Sequence, residues 1–249
     1  LKSGVITSHK FENTDKGVPQ GGPLSPLLSN IMLNELDQEL ERRGHKFVRY
    51  ADDLVILTKS KRSSQRVLSS ITCYIEERLS LKVNREKSSS TSVSRIKFLG
   101  YSFYVNRGQG RLRVAHRSIL KLKSRIRKLT NRSNGWSNER RKSELKSFIG
   151  GWVQYFKLAD MGTLLIRIDE WYRRRLRMVI WKQWKRVRTK QRNLIKLGIG
   201  KSKAWQFVNT RKSYWHTSNS PILSTSITNN RLRQAGYLFF LDCYKSVKL

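Results

Sequence analysis

Two adjacent carboxylates, Asp52 and Asp53, are the residues in this sequence best suited to chemistry. A short run at 47–49 precedes Tyr50 and Ala51, and an apolar run at 54–57 follows the acids. Two short β-type runs joined at such a pair predict a tight hairpin with both acids at its tip. Hard cations such as Mg²⁺ prefer carboxylate oxygens, so the tip is a candidate metal site. Acidic pairs are also ordinary turn residues, and that alternative stays open from the pair alone.

A glycine- and proline-rich loop, residues 17–26, lies upstream of the acidic pair and leads into a predicted helix. Ser25 suits the N-cap of this helix, and Pro26 suits its first helical position. Gly44 is predicted to end it. Glycines let the loop backbone approach a nucleotide closely, and Gln20 offers both a donor and an acceptor. One side of the helix is apolar and comprises Leu27, Leu28, Ile31, Met32, Leu36 and Leu40.

Positive charge is concentrated in the middle of the chain. The formal net charge is +35 over 249 residues. Residues 116–215 contain 28 Lys and Arg against 5 Asp and Glu, whereas residues 1–115 contain 20 against 11. All seven tryptophans also lie within 116–215. A basic, aromatic-rich segment is typical of a surface that follows a nucleic-acid backbone and stacks bases. A metal site in such a positive field suits chemistry on phosphates.

The basic region has helical periodicity after a predicted hairpin with strands at about 97–105 and 111–114. A first helix carries Ile119, Leu122, Ile126 and Leu129 at helical spacing, and a second carries Leu145, Phe148, Ile149, Trp152, Val153 and Phe156. A third begins near Thr163, with one apolar arc (Leu164, Ile168, Trp171, Tyr172, Leu176 and Val179) and one basic arc (Arg167, Arg173, Arg174, Arg177 and Lys185). These patterns predict an amphipathic bundle. We expect Trp152 and Trp171 in its core and the arginines on a face that contacts RNA.

The last part of the chain has weaker patterns. Residues 198–202 are predicted to form a turn between helices. Asn229 could cap a short helix around Leu232 that ends at Gly236. Cys73 and Cys243 are expected to be core thiols and not a disulfide.

Other kinds of site are not indicated. The four histidines are scattered and match neither a nucleophile–base pair nor, with the two cysteines, a zinc site. There is also no apolar stretch long enough for a membrane span, so no membrane partner is expected.

Three motifs in this order resemble those of reverse transcriptases, and within them the proteins encoded by group II introns. They are the loop Pro19-Gln20-Gly21 with Ser25-Pro26, the box Tyr50-Ala51-Asp52-Asp53, and residues 98–103. The resemblance implies that Asp52 and Asp53 are catalytic ligands of Mg²⁺. It also implies nucleotide or template contacts for Pro19, Gln20, Gly21 and Lys87, and a primer grip formed by Phe98, Leu99 and Gly100. For Lys87, a solvated loop lysine is an equally good interpretation.

The resemblance also implies a fold and a domain organisation. The fold class is α+β: a partial palm with β-hairpins and helices over residues 1–115, then an all-α basic thumb or maturase bundle over 116–190. Residues 191–249 would form a C-terminal tail that binds RNA or DNA. The expected RNA-binding residues on the helices are Lys121, Lys123, Arg125, Arg127, Lys128, Arg173, Arg174 and Arg177.

Members of this family have a further metal-binding aspartate and a fingers region upstream of the Pro-Gln-Gly loop. Glu12 and Asp15 lie too close to that loop to be this aspartate. We therefore expect the chain to be the C-terminal part of a larger enzyme. By itself it would carry half of a two-metal site and would not polymerise.

The implied function is RNA-directed DNA synthesis, combined with assistance in splicing and mobility of the intron. The implied partners are the intron RNA, a primer–template duplex, a DNA target and deoxynucleoside triphosphates, in the cytoplasm of a bacterium and within a ribonucleoprotein. Two alternatives stay open. One is a splicing cofactor that binds RNA without polymerising, and the other is a reverse transcriptase of the retron or defence type.

Overall fold

A computed structural model describes residues 5–7, 10–12 and 22–248, the first two groups as backbone only. The chain divides into two compact units, Leu1–Phe98 and Leu99–Leu249. This division differs from the predicted boundaries at residues 115 and 190. The hairpin that precedes residue 115 belongs to the helical unit, and the predicted thumb and tail form one unit. No helix in the described residues is long and apolar enough to cross a membrane.

The first unit combines short strands with two long helices. Its elements are β1 (Val5–Thr7), β2 (Lys10–Glu12), α1 (Ser25–Arg42), β3 (Lys46–Tyr50), β4 (Asp53–Leu57), α2 (Lys61–Glu77), a 3-10 turn (Val93–Arg95) and β5 (Lys97–Phe98). The pairs β1–β2 and β3–β4 are antiparallel hairpins. The predicted hairpin around the acidic pair is therefore confirmed.

Helix α1 has the predicted end but not the predicted N-cap. It begins at Ser25 itself, so Ser25 is the first helical residue and the N-cap position falls on Leu24. At the other end, Gly44 has a φ of +70° and its N–H donates to the Glu41 carbonyl at 2.9 Å. The N–H of His45 donates to the Leu40 carbonyl at 3.0 Å. These two hydrogen bonds form a Schellman motif, which a glycine in the left-handed conformation favours.

Only the C-terminal half of α1 contributes buried residues to the core of the first unit. Leu36 and Leu40 are buried together with Ile71 of α2 and Leu79. The apolar side of α1 is not buried along its whole length, because several side chains of the N-terminal half are exposed. These are Leu27 (57%), Ile31 (62%) and Met32 (48%). The residues that pack against α1 contact it from Leu33 onward, which explains the difference. Cys73 on α2 is exposed and not a core thiol.

The second unit is a β-hairpin followed by nine helices within the residues described. They are β6 (Tyr101–Asn106), β7 (Gln109–Val114), α3 (His116–Leu129), α4 (Asn138–Tyr155), α5 (Gly162–Gln183), α6 (Val187–Lys196), α7 (Lys201–Val208), α8 (Tyr214–Thr217), α9 (Pro221–Ser226), α10 (Asn229–Gln234) and α11 (Phe240–Val247). The three helices predicted from apolar spacing correspond to α3, α4 and α5.

Helix α5 contributes more buried side chains than any other helix described here. They occur around much of its circumference and include Leu165, Ile168, Tyr172 and Leu176. A single apolar cluster runs from Val114 to Tyr244 and includes residues of every helix from α3 to α11 except the short α8, which packs its Tyr214 against it. Trp152 and Trp171 pack against this cluster, as predicted.

The hairpin β6–β7 is fixed to the helices by polar contacts. The N–H of Asp160, between α4 and α5, donates to the Leu112 carbonyl at 2.8 Å. The Tyr104 hydroxyl donates to Asp160 Oδ2 at 2.9 Å. This hydrogen bond is the largest cause that lowers the pKa of the Asp160 carboxyl. These contacts explain why the hairpin belongs to the helical unit.

The short helix predicted around Leu232 is present as α10, with a different N-cap. The side chain of Thr228, not Asn229, accepts a hydrogen bond from the Arg231 N–H at 3.3 Å and caps α10. Gly236 follows the helix with a φ of +90°, as predicted. The turn predicted at 198–202 lies at 197–200, because residues 201 and 202 already belong to α7. Both cysteines are free thiols.

Asp169 joins α5 to the last helix. Its side chain is 2% exposed, and its two oxygens accept hydrogen bonds from the Phe240 N–H at 3.0 Å and the Leu241 N–H at 2.9 Å. Burial raises the pKa of this carboxyl, while the two hydrogen bonds lower it. The carboxylate satisfies backbone donors at the start of α11 that have no partner within the helix.

Replacing Asp169 by alanine should leave two backbone donors unpaired and destabilise the helical unit by about 2–4 kcal/mol. Urea unfolding followed by tryptophan fluorescence measures this unit alone, because all seven tryptophans lie within it. Asp242→Ala is the matched control. It removes an exposed ion pair with Arg233 and should cost less than about 1 kcal/mol. Equal losses in the two variants would contradict the capping role of Asp169.

Candidate functional site

The acidic pair lies at the tip of the β3–β4 hairpin. Tyr50 pairs with Asp53 at the end of the ladder, so Ala51 and Asp52 form a two-residue turn. Both carboxylate side chains are exposed. Ala51 has a φ of +53°, a conformation uncommon for residues other than glycine. Non-glycine residues in this region persist where the surrounding structure holds them.

Arg49 provides that constraint. Its Nη1 donates to the Ala51 carbonyl at 3.0 Å and to Asn30 Oδ1 at 3.1 Å. Its Nε donates to Asp37 Oδ1 at 2.8 Å, and its Nη2 pairs with the other oxygen of the same carboxylate. Asn30 and Asp37 lie seven residues apart, on one side of α1. One guanidinium therefore connects the turn that carries Asp52 to the helix behind it.

Sequence patterns did not identify Arg49 as part of this site. Its side chain is only 13% exposed, and the hydrogen bond that it donates to Asp37 is the largest cause that raises its pKa. A bidentate guanidinium–carboxylate pair has a defined orientation as well as a charge. One feature of the sequence could have indicated its role. Arg49 shares the inward-facing side of β3 with Phe47, where an apolar residue is expected.

The chemistry of the acidic pair fits part of a divalent-metal site. In the part of the chain that the structure describes, no group of three or more His, Cys, Asp or Glu side chains could hold a metal ion. Two adjacent carboxylates can still supply some of the oxygens around Mg²⁺, which usually keeps several waters and binds substrate phosphates.

The structure describes only one of the four residues predicted to contact the nucleotide or template. Pro19, Gln20 and Gly21 lie outside the described residues. Lys87 is exposed in a turn after α2, where its backbone N–H donates to the Asn84 carbonyl at 3.2 Å. Within residues 22–248, no hydrogen bond or ion pair links Lys87 to the acidic pair.

The predicted primer grip is a tight turn at the unit boundary. Phe98 is the last residue of the first unit, and Leu99 and Gly100 begin the second with φ values of +50° and +79°. Two consecutive residues with positive φ are typical of a type I′ turn.

The part of this turn in the second unit is anchored to the helices. The Gly100 carbonyl accepts hydrogen bonds from the Ala115 N–H at 2.9 Å and the Ser118 hydroxyl at 3.1 Å. The Tyr155 hydroxyl of α4 donates to the Leu99 carbonyl at 3.0 Å. The Tyr101 hydroxyl donates in turn to the Tyr155 carbonyl. Helices α3 and α4 therefore set the position of the turn.

The basic residues of α3 border its buried apolar stripe on both sides. Lys121, Arg125 and Lys128 are exposed and, at 100° per residue, lie on one stripe. Lys123 and Arg127 lie on the other flank, and the Arg127 guanidinium is 5.6 Å from the centre of the Trp171 ring. None of these five residues has an ion pair among the residues described, so α3 presents an uncompensated positive surface.

The basic arc predicted for α5 is only partly solvated. Arg167 is exposed, and Lys185 is exposed just beyond the end of the helix, whereas Arg173, Arg174 and Arg177 are half-buried. Arg174 Nη2 donates to the Trp215 carbonyl at 3.0 Å, and Arg177 Nε donates to the Ile227 carbonyl at 3.0 Å. Arg173 lies 5.8 Å from the centre of the Phe239 ring. Burial is the largest cause that lowers the pKa of Arg177. The C-terminal segment covers this side of α5, which helical spacing alone does not show.

Comparisons with known proteins match two separate parts of the chain to two different families. Residues 5–103 match the family model of the reverse transcriptase (RNA-dependent DNA polymerase) domain, and residues 119–198 match that of the group II intron maturase-specific domain. The first match contains the acidic pair and the turn at Leu99 and Gly100. The second contains most of α3 and the whole of α4, α5 and α6.

Individual proteins are similar to only part of this chain. Protein YkfC of Escherichia coli is 31% identical over 150 residues, which cover 46% of this chain and 39% of that protein. The group II intron-encoded protein LtrA of Lactococcus lactis is 27% identical, over 43% of this chain and 29% of that protein. The retron Mx65 reverse transcriptase of Myxococcus xanthus is 38% identical over 28% of this chain and 17% of its own length. In each case the match spans well under half of the relative.

Gly100→Ala tests whether packing against the helices constrains the turn at Leu99 and Gly100. An added Cβ would lie 3.0 Å from Ser118 Oγ and 3.2 Å from Phe156 Cζ. Gly108→Ala is the matched control, because Gly108 has a similar φ of +76° and nothing within 4 Å of the added atom. Both variants should lose about 1–2 kcal/mol through backbone strain.

Gly100→Ala should lose about 1–3 kcal/mol more than its control, because the close contacts overpack the site. The free energy of unfolding in urea, followed by tryptophan fluorescence, measures both losses. Equal losses would show that the helices yield around the turn.

Proposed function

We propose that this chain is part of a group II intron-encoded reverse transcriptase and maturase, and that the full-length protein is an RNA-directed DNA polymerase that also assists splicing and mobility of its intron. The matches of residues 5–103 and 119–198 to the two family models support this proposal. The observation that carries the proposal is the acidic pair on a hairpin tip whose conformation is held by Arg49. An RNA-binding scaffold has no need of two exposed carboxylates in a chain with a net charge of +35.

The proposed chemistry is phosphoryl transfer from a deoxynucleoside triphosphate to the 3′ hydroxyl of a primer. Asp52 and Asp53 would hold Mg²⁺ through their carboxylate oxygens. The bound metal would supply charge neutralisation at the attacking and leaving oxygens. Arg49 orients the turn that carries Asp52, and the primer hydroxyl is itself the nucleophile. The proposal therefore requires no Ser–His or Cys–His pair from the protein.

The first unit is proposed as part of the palm and the second as the thumb and maturase region with its C-terminal tail. Pro19, Gln20, Gly21 and Lys87 would contact the nucleotide and template. Leu99 and Gly100, with Phe98, would contact the primer strand. A turn anchored by α3 and α4 suits that role, because positioning of a reacting strand requires a rigid support. A bacterial cytoplasmic ribonucleoprotein is the proposed location.

The basic surface of α3 is proposed to contact the phosphates of the intron RNA and of the primer–template duplex. Its five cations have no acidic partner among the described residues, and phosphate contacts of this kind dominate the affinity of proteins for nucleic acids. Arg173, Arg174 and Arg177 contribute to this surface through the positive field, because their guanidinium groups are partly used in holding the C-terminal segment.

Two rival functions make different predictions. A splicing cofactor would bind structured RNA and would not extend a primer. A retron-type enzyme would extend a primer, and the match of residues 119–198 to the maturase-specific domain disfavours it.

Asp52→Asn in the full-length protein should abolish primer extension on an RNA template with Mg²⁺ and leave RNA affinity unchanged. Loss of one carboxylate ligand removes several kcal/mol of charge stabilisation, which corresponds to about a thousandfold in rate. Glu41→Gln is the control, because it removes an exposed acid of α1 and should extend at the unaltered rate. Extension by neither the unaltered protein nor the variant, with RNA binding retained, would favour the splicing cofactor.

Lys121→Gln combined with Lys128→Gln should weaken binding to structured RNA. Each lost phosphate contact should lower the slope of log affinity against log salt by about one. The matched control is Lys146→Gln with Lys157→Gln, two exposed lysines on or near α4. Fluorescence anisotropy over a salt series measures both. An unchanged slope in the α3 variant would remove this helix from the RNA interface.

A further inference from the structure

A cleft of about 840 Å³ lies among α5, α7 and the segment that contains α8 and the start of α9. It is an open cleft in the second unit, and most of its lining lies outside the segment that matches the maturase-specific domain, which ends at residue 198. Its lining includes three cationic side chains and three side-chain amides: Arg174, Lys203, Lys212, Gln206, Asn209 and Asn219.

The charge of this cleft has one sign. No acidic residue lines it, and residues 171–241 contain no aspartate or glutamate at all. Lys203 and Lys212 are exposed, and neither has an ion pair among the described residues. A concave surface whose charged side chains are all cations has a focused positive potential, which attracts a polyanion.

Arg174 is held in place at this cleft by Trp215. Its guanidinium carbon is 3.9 Å from the centre of the Trp215 ring, and its Nη2 donates to the Trp215 carbonyl. These two contacts fix the guanidinium at the wall of the cleft, so its positive charge has a defined position there.

The size and chemistry of the cleft match a nucleotide segment better than a simple anion. Pockets for ligands of nucleotide size span about 300–1,000 Å³. Phosphates need cations, whereas base edges need groups that both donate and accept, such as the amides of Gln206, Asn209 and Asn219. Single strands can present their bases to such groups, because the bases are unstacked.

We propose that this cleft binds an unpaired stretch of polynucleotide, with Lys203, Lys212 and Arg174 on its phosphates and the side-chain amides on its bases. The proposal rests on the proposed function, since it assigns a site to part of the nucleic acid that the protein would bind. It adds a single-strand site to the α3 surface, which faces structured RNA. RNA and DNA share this chemistry, and the experiment distinguishes them.

The test measures binding of labelled single-stranded RNA and DNA oligonucleotides of the same sequence, and of a structured RNA, to the full-length protein. The cleft variant is Lys203→Gln with Lys212→Gln. The control is Lys146→Gln with Lys157→Gln, which removes the same charge elsewhere in the same unit. We expect the cleft variant alone to lose about tenfold or more in single-strand affinity. Its salt slope should fall by about 1.4, the value for two single-strand phosphate contacts.

The outcomes separate this proposal from the proposed function. A larger loss on the RNA oligonucleotide than on the DNA, or the reverse, identifies the strand that the cleft binds, and equal losses identify a site for both. Cleft and control variants with the same affinity for both oligonucleotides would overturn the single-strand site while the function stands. A cleft variant that loses structured-RNA affinity as strongly as single-strand affinity would also overturn it, because the effect would then be general charge loss. Failure of the unaltered protein to bind any of the three nucleic acids would overturn the proposed function.

Discussion

Between residues 171 and 241 the chain has no carboxylate side chain, so the many cations of this stretch must be stabilised in other ways. Several arginines donate to backbone carbonyls at helix ends. Arg175 donates to the carbonyls of Arg127 and Thr130 after α3, and Arg231 donates to those of Leu197 and Ser226. Carbonyls at helix C-termini lack partners and carry partial negative charge, so a guanidinium satisfies them well. These contacts join α5 to the end of α3, and α10 to the ends of α6 and α9.

Because carboxylates are absent from residues 171–241, the contacts of each cation differ from one residue to the next. Arg174, Arg175 and Arg177 donate to backbone carbonyls and are half-buried, so they help to hold the fold together. The side chains of the lysines of α3 and of the cleft have no such contacts among the described residues, so their charge is uncompensated. In the proposed complexes, a polyanion would supply the compensating charge. Arg174 would then serve both purposes, because it contacts Trp215 and also lines the cleft.

In both units, a short turn with positive φ carries residues of the proposed site, and side-chain hydrogen bonds connect the turn to neighbouring helices. Arg49 connects the turn of Asp52 to α1, and Tyr155 with Ser118 connects the turn of Gly100 to α4 and α3. Side chains on helices position a site more rigidly than a free loop does.

Local sequence patterns determined the hairpin with its acidic pair, the helices of the basic region and the ends of α1 and α10 at glycine, because alternation, helical spacing and left-handed glycine are properties of a few neighbouring residues. They also carried the resemblance to the reverse transcriptases and maturases. Only the tertiary structure decided what covers each helix. Helical spacing shows which residues share a face, but the partner of that face comes from distant sequence. The packing of the whole chain therefore determines that Leu27 and Cys73 are exposed and that the C-terminal segment covers Arg174 and Arg177. It also places Arg49 against Asp37 and forms the cationic cleft.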